Sequence, residues 1–496
     1  MPAALDAYQL ALSFDPDSLV IARHLADLAF RLGQWDMAEK LYVHLITHGE
    51  QDIATLCAFA ATLREQGRFD EAIELLKSLL GQHPGEAPLW EGLGAIMAAK
   101  GERDTALVFL DEALRLAPDN LHALFNRGCT RVEKGDLPGG LRDITDCADR
   151  FRDPANRANA ELTCAHTALA MGDLAAGWRW YEARHMRGTP REVHYEFNLP
   201  RRTSAQPVAG KKLFVSAEQG LGDEILYASV LPDILSELGS DRLGIGVEPR
   251  LVPLFQRSFP DAVIAAHRTQ TRDGAIHRDF PGLDQRAFDQ WALLGDFLAS
   301  HRNAIADFPA RRSFLRPDPA RVAHWRRYFA ALNARPKAGI LWKSLKSNAL
   351  RDRFFSAFEQ WQAVLATPGI QFINLQYGDT SEELAQARAA GLDIHTPKGI
   401  DLKQDLDDLA ALTTALDVVL GPSNATSNIA AACGARVWMV SPPRTWLALG
   451  QTHYPWYPTV RLFSAPDYDD WAPALAQIAT ELGALATQDK ADNGSA

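Results

Sequence analysis

A short glycine-containing segment lies where a predicted strand meets a predicted helix. It reads Glu218, Gln219, Gly220, Leu221, Gly222 and Asp223. Glycines let a backbone approach a ligand, and a helix start offers free N–H groups. A carboxylate such as Asp223 can act there as a general base, or it can simply cap the helix. The glycine spacing of a dinucleotide site and the Lys-Ser/Thr pair of a P-loop are both absent, so neither is predicted.

A second segment of this kind runs from Leu420 to Asn428 and precedes the predicted helix Ile429–Cys433. Its short polar side chains are Ser423, Asn424, Thr426 and Ser427. Hydroxyls and free N–H groups at a helix start suit a phosphate or pyrophosphate, whose charge the helix dipole favours. The alternative is an ordinary cluster of N-cap residues. We favour ligand binding, because both segments are predicted at one edge of the same cleft.

A third group consists of cations at and after a predicted strand end, namely Lys343, Arg351 and Arg353. Cations here can neutralise the diphosphate of a departing group. Taken singly, they are ordinary solvated surface charges. Their place after the first strand of the second half favours the functional interpretation.

Alternating strands and helices after residue 212 position these three groups. The predicted strands are Lys212–Ala217, Leu243–Val247, Ala338–Trp342, Gln371–Leu375, Asp417–Leu420 and Val437–Val440, and the helix after the first strand is Asp223–Gly239. Such alternation is typical of parallel sheets. Two Rossmann-like halves would form a cleft at the carboxyl ends of their strands, the usual ligand site in open α/β sheets.

The chain before residue 186 is a repeat. Glycines recur every 34 residues at Gly33, Gly67, Gly101 and Gly135, and Gly172 follows after 37. This period predicts stacked helical hairpins of the tetratricopeptide type, about five repeats after a leading half. The tripeptide Pro138-Gly139-Gly140 is predicted to interrupt the second helix of its unit. The concave surface of such an array usually binds a protein segment; self-association is the alternative.

The predicted organisation follows from these patterns. It comprises a repeat array at 1–185, a linker at 186–211, a first Rossmann-like, acceptor-side half at 212–315, a connector at 316–336, a second, donor-binding half at 337–486, and a disordered tail at 487–496.

Composition restricts the classes of partner and compartment. The net charge of -11 argues against a general binder of nucleic acid or anionic membranes. Five scattered cysteines without a C-x-x-C pair argue against zinc sites and disulfides. Uninterrupted apolar runs of about 18 residues are absent. A cytoplasmic protein without a membrane span is expected.

Several motifs together resemble bacterial tetratricopeptide-repeat glycosyltransferases related to the heptosyltransferase family. The motifs are Gly177–Arg184, Val215–Val230, Leu375–Gly378, Asp405–Leu409 and Tyr454–Phe463, in the order of that family. The resemblance implies an N-terminal tetratricopeptide α-solenoid followed by a GT-B pair of Rossmann-like domains. It implies that Asp223 is the catalytic base, and that the donor is a nucleotide sugar used as co-substrate, without a further cofactor or metal. The residues it assigns to donor binding are Lys343, Gln376, Ser423, Asn424, Thr426 and Ser427.

The second turn departs from the family pattern, which has Asp-Thr-Ser or Asp-Thr-Gly and a histidine four residues beyond the threonine. This chain has Ser423, Asn424 and Ala425, with Asn428 in place of the histidine. The replacements are polar, which favours altered donor specificity over loss of activity.

The resemblance extends to flagellin glycosyltransferases that use CMP-linked nonulosonic acids. The expected function is therefore transfer of a sugar to Ser or Thr of a protein held by the repeats, with flagellin as the leading acceptor. Two alternatives stay open: transfer to a lipopolysaccharide acceptor, and a non-catalytic scaffold or chaperone with a relic transferase half.

Overall fold

The computed structural model describes residues 2–185, 193–202, 210–272, 275–344 and 354–494, with only the backbone for 2, 3, 240 and 488–494. The chain divides into two compact units. The first comprises Met1–Met171, Arg179–His194 and Thr269–His277. The second comprises Gly172–Trp178, Tyr195–Arg268 and Arg278–Ala496.

The N-terminal region is a helical solenoid. Its helices are α1 Pro2–Phe14, α2 Leu19–Arg31, α3 Trp35–Thr47, α4 Ile53–Glu65, α5 Phe69–Gln82, α6 Ala87–Lys100, α7 Arg103–Leu116, α8 Leu121–Lys134, α9 Leu137–Arg150, α10 Pro154–Ala170 and α11 Leu174–Tyr181. The glycine of each predicted repeat lies between the two helices of a hairpin, with φ from 72° to 96°. This left-handed backbone favours glycine. The prediction of five repeats after a leading half is confirmed.

The prediction that Pro138-Gly139-Gly140 interrupts a helix is wrong, because α9 is continuous. Pro138 lies in the first turn, where its missing N–H has no helical partner in any case. Asp136 caps the helix by accepting a hydrogen bond from Gly139 N at 2.9 Å. A Cβ at Gly140 would lie 2.6 Å from Gly128 O, so the glycine allows α8 and α9 to pack closely.

The second region contains parallel sheets. Its strands are β1 Val193–Tyr195, β2 Leu213–Ser216, β3 Leu243–Val247, β4 Val263–Ala266, β5 Arg268–Arg272, β6 Ala275–Asp279, β7 Gln290–Leu293, β8 Lys337–Ile340, β9 Gln371–Asn374, β10 Ile394–His395, β11 Val418–Pro422, β12 Val437–Ser441 and β13 Val460–Ser464. A four-stranded parallel sheet has the order β4-β3-β2-β7, and a six-stranded parallel sheet has the order β10-β9-β8-β11-β12-β13. The order β1-β6-β5 forms a small third sheet.

Helices connect these strands. They are α12 Leu221–Tyr227, α13 Leu231–Leu238, α14 Val252–Ser258, α15 Leu298–His301, α16 Pro319–Leu332, α17 Gln362–Leu365, α18 Ser381–Ala389, α19 Leu406–Thr414, α20 Ala425–Ala432 and α21 Ala472–Gly494. The larger sheet packs against α21 and α17 through a core that includes Trp342, Trp361 and Phe463. The smaller sheet packs through Phe214, Phe280 and Trp291.

Several element bounds differ from the sequence-based expectation. The helix predicted at Asp223–Gly239 is divided into α12 and α13 by a short 310 helix at Ala228–Val230. Pro232 in the first turn of α13 explains the new helix start, because proline cannot donate to the preceding turn. Helix α20 begins at Ala425 rather than Ile429, since Asn424 caps it. Helix α21 extends to Gly494, into the segment predicted as a disordered tail.

Candidate functional site

The first turn joins the carboxyl end of β2 to α12. Glu218 is 4% exposed, and its Oε1 accepts a hydrogen bond from Gly295 N at 2.7 Å. Its carboxylate therefore holds the turn against the short 310 helix at Leu294–Phe297. Gln219 is exposed and adopts φ of 60°, a left-handed backbone that is uncommon for a residue with a side chain. Such conformations occur preferentially at functional sites.

Asp223 lies in the first turn of α12 and is partly exposed. Its Oδ2 accepts a long hydrogen bond, 3.4 Å, from the backbone N–H of Gly220. The carboxylate therefore takes the capping role that the sequence leaves as an alternative. A long bond to one backbone donor does not preclude proton transfer with a substrate.

The second turn joins the carboxyl end of β11 to α20. Asn424 Oδ1 accepts a hydrogen bond from Ser427 N at 3.1 Å, and Ser427 Oγ donates to Pro422 O at 2.6 Å. Thr426 is 2% exposed. Asn424 and Ser427 thus stabilise the turn, and Ser423 remains at its partly exposed edge.

The two turns pack directly against each other. Asn428 Nδ2 donates to Gly222 O at 3.2 Å. A Cβ at Gly222 would lie 3.3 Å from Ala425 N and 3.4 Å from the carbonyl carbon of Asn424. The glycine expected to admit a ligand therefore admits the backbone of the other turn. Asn428, which stands where the family has histidine, connects the two halves.

A cavity of about 160 Å³ opens beside the second turn, at the carboxyl ends of β11 and β12. Ser423 and Ser441 contribute hydroxyls, and the lining is otherwise mainly apolar: Phe354, Phe355, Pro422, Met439, Val440, Pro442, Thr445, Leu447, Tyr454 and Leu462. The cavity as a whole could not be predicted from the sequence, because its walls come from separate strands and loops. The sequence signals at this cavity were Ser423 of the second turn and the motif that contains Tyr454.

Tyr454 connects the cavity to the first turn. Its side chain is 1% exposed. Burial raises the pKa of the Tyr454 hydroxyl, the Ser423 hydroxyl beside it lowers this pKa, and the negative charge of Asp223 raises it. Asp223, Ser423 and Tyr454 therefore belong to one electrostatic environment at the cleft.

Lys343 and Gln376 lie at the carboxyl ends of neighbouring strands, but internal contacts engage them. Gln376 is 2% exposed, and its Oε1 accepts hydrogen bonds from Trp342 N at 3.0 Å and Lys343 N at 2.9 Å. The Lys343 ammonium pairs with Glu383. Burial alone would raise the pKa of Glu383, but hydrogen bonds from Lys343 and Trp342 help to lower it below its usual value. Arg351 and Arg353 lie outside the described residues.

Other hydrogen bonds connect the two halves away from the turns. Arg257 of the first half forms two 2.8 Å hydrogen bonds with the carboxylate of Asp407. Arg250 Nη1 donates to Lys403 O at 2.5 Å. The neighbouring Asp408 accepts from Arg321 of α16. The acidic motif at 405–409 therefore stabilises the fold.

Comparison with known proteins identifies the repeats and one close relative. The model of the tetratricopeptide repeat family matches residues 63–126. Protein FlbA of Caulobacter vibrioides is 43% identical over 487 residues, which cover 97% of this chain and 81% of FlbA. Within the described residues, no helix is both long and apolar enough to cross a membrane.

The solved structures that are similar to this chain match about a third of its length. A thermophilic TPR protein of Thermus thermophilus is 20% identical with a TM-score of 0.30, covering 33% of this chain and 89% of its own. YrrB, a TPR protein with an unusual peptide-binding site, is 16% identical with a TM-score of 0.23, covering 36% of this chain and 91% of its own. At these TM-scores the similarities support no inference about function.

The repeats and the parallel sheets define a tetratricopeptide-repeat protein with a C-terminal α/β region. Identity and coverage then place the chain in a particular family: it belongs to the FlbA family.

Proposed function

We propose that this protein is a GT-B glycosyltransferase that moves a sugar from a nucleotide-sugar donor to Ser or Thr of a protein bound by the repeats. The packing of the two turns, with Asp223 close to Tyr454 of the cavity, is the observation that carries this proposal. Both turns lie at carboxyl ends of parallel strands, where open α/β sheets bind ligands. Dividing a site between two halves allows acceptor and donor to approach from opposite sides.

The cavity is the proposed site for the base and ribose of the donor nucleotide. Its apolar walls suit a flat ring, while Ser423 and Ser441 offer hydrogen bonds. The start of α20, next to Ser423, favours the negative charge of the donor phosphate. Lys343 can contribute a positive charge only after it exchanges its partner Glu383 for the phosphate.

The proposed chemistry is a direct displacement at the anomeric carbon. The acceptor oxygen forms a bond to this carbon as the sugar–phosphate bond breaks, and the bonding electrons leave with the phosphate. Asp223 takes the proton of the acceptor hydroxyl as general base. Its place next to the cavity makes it the best-situated carboxylate among the described residues of the first turn, because Glu218 is bound to Gly295.

The repeats supply the proposed acceptor site. Arrays of this type generally bind protein segments on their concave surface. Flagellin is our leading candidate for the acceptor and a CMP-linked nonulosonic acid for the donor, on the resemblance to flagellin glycosyltransferases. We propose a cytoplasmic reaction, since the described cysteines are all free thiols.

Thermal stabilisation by CMP, CDP, UDP, GDP and ADP tests the donor site first. A nucleotide at about 100 times its dissociation constant adds about 2.7 kcal/mol to the free energy of unfolding. A shift with CMP alone supports a nonulosonic-acid donor, and one with UDP supports a hexose or hexosamine. Replacing Ser423 with Ala should weaken the shift, whereas Ser78→Ala, a change at an exposed serine of repeat helix α5, should not.

A non-catalytic scaffold is the second candidate. The pairing of Lys343 with Glu383 and the absence of an imidazole at Asn428 favour it, because both reduce the groups available to a donor. This candidate predicts binding of flagellin by the full chain, with no thermal shift from any nucleotide in the panel.

A further inference from the structure

We infer that Asn428 is a positioning residue for Asp223. This inference rests on the proposed glycosyl transfer and deepens it. The position of Asp223 then depends on a hydrogen bond from Asn428 in the second half, and not on helix α12 alone.

The contact is made next to the base in the sequence. Asn428 Nδ2 donates to the carbonyl oxygen of Gly222, the residue that precedes Asp223, at 3.2 Å. The Asn428 side chain is 3% exposed, so water competes little for this bond. Gly222 also packs against Ala425 N, which restricts movement of the turn toward α20.

The second half makes another hydrogen bond to the backbone that follows Asp223 in the sequence. Tyr457 Oη donates to Ile225 O at 3.4 Å within the buried part of the same interface. The second half therefore binds the backbone both before and after Asp223. Helix α12 has only seven residues, too few to be stable by its own hydrogen bonds.

These two bonds fix the distance between Asp223 and the cavity. Asp223 belongs to the first half and the cavity to the second, so any movement between halves changes the approach of the acceptor hydroxyl to the donor. A misplacement of about 1 Å can cost about 100-fold in rate. An ionised aspartate cannot donate to Gly222 O, so Asn428→Asp removes the bond at neutral pH with almost no change in side-chain volume. Asn428→Ala removes the same bond without adding a charge near Asp223.

The test compares Asn428→Asp and Asn428→Ala with Arg250→Ala in the full-length chain. Arg250 also connects the halves, through its bond to Lys403 O, and its other side-chain bond goes to Glu248 rather than to a residue of either turn. The probes are CMP-linked nonulosonic acid, purified flagellin, and water as the competing acceptor. The measured quantity is the ratio of transfer to hydrolysis of the donor.

We expect both Asn428 variants to lower the ratio of transfer to hydrolysis at least about tenfold. A water molecule can move to follow a displaced base, whereas the hydroxyl of a bound acceptor cannot, so transfer should fall more than hydrolysis. Arg250→Ala should keep the ratio within about twofold. A loss of folded protein would reduce transfer and hydrolysis together and leave the ratio unchanged. An unchanged ratio in both Asn428 variants would overturn the inference.

Hydrogen exchange separates this inference from the proposed function. The amides of Leu221–Tyr227 should exchange faster in Asn428→Asp than in Arg250→Ala, measured on the nucleotide-free chain. Equal exchange in the two variants would overturn the positioning role. The proposed function fails if the wild-type chain forms no product from these probes and no nucleotide of the panel shifts its thermal stability. The exchange measurement then alone decides on Asn428.

Discussion

The turns Glu218–Asp223 and Ser423–Asn428 use similar residue types in different ways. In the first, Glu218 binds the short 310 helix at Leu294–Phe297, and Asp223 accepts a long hydrogen bond from the backbone of Gly220 beside the cleft. In the second, Asn424 and Ser427 bind the turn itself. Polar side chains at a helix start first satisfy backbone groups, and this requirement decides which of them are available to a ligand.

The largest expected effect is on the base of the first turn. Asp223→Asn removes the proton acceptor but keeps the side-chain shape, so transfer should fall about 10³-fold. The nucleotide-induced thermal shift should persist, because the walls of the cavity come from the second half. Asp241→Asn, at an exposed aspartate of the same half, serves as the control. Full transfer by Asp223→Asn would mean that Asp223 is not the base.

The next effect distinguishes the two glycines of the first turn. Gly222→Ala should lower the free energy of unfolding by about 1–3 kcal/mol, because its Cβ would meet the second turn at 3.3 Å. Gly220→Ala should change it by less than about 0.5 kcal/mol, because its φ of -90° suits alanine and its nearest neighbour is a side-chain atom. Chemical denaturation of both variants checks this. Equal losses would contradict the contact between the turns.

A smaller effect concerns the cap of the second turn. Asn424→Ala removes the acceptor for Ser427 N and should cost about 1 kcal/mol of unfolding free energy. Asn424→Asp keeps an acceptor and should recover most of this loss. If the Asn424→Ala and Asn424→Asp variants are equally stable in thermal denaturation, the cap does not explain why asparagine is present. Asn424 would then be a candidate ligand residue, and the two turns would resemble each other more closely.

The smallest effect concerns Lys343. Glu383→Gln should lower the free energy of unfolding by less than about 1 kcal/mol, because solvent screens the partly exposed pair. The pKa of Glu383 is lowered in the folded protein, so its contribution is present above its ordinary pKa of 4.5 and is lost as the pH falls through the folded value. Urea denaturation at pH 7 and at decreasing pH below 4.5 should show the difference between wild type and variant shrinking. A difference that grows toward acid would refute this sign.

The repeat array could be predicted almost completely, because its signals are local. The spacing of Gly67, Gly101 and Gly135 is a property of the chain itself, and each glycine lies at the turn its period predicts. The exception, Pro138–Gly140, depends on the neighbouring helix: the glycines look like a break, yet they allow α8 and α9 to approach.

The site could be predicted only in part. The two turns and the residues they contain were identifiable, since a glycine or short polar residue between strand and helix is a local pattern. The partners of those residues were not. Glu218 and Gly295 are 77 residues apart, and Asn428 and Gly222 are 206 apart. Gln376 and Lys343 have the residue types of ligands, and only their contacts show that they are engaged internally.

The sequence by itself determined the helical repeats, the alternation of strands and helices, and the chemical types present at two strand ends, because each depends on residues close together in the chain. The tertiary structure alone decided that the two turns touch, that Gly222 makes room for backbone, and that Tyr454 brings a cavity next to Asp223. The physical reason is that buried polar groups form hydrogen bonds with whichever groups lie near them in space. Segments far apart in the sequence therefore compete for the same polar atoms.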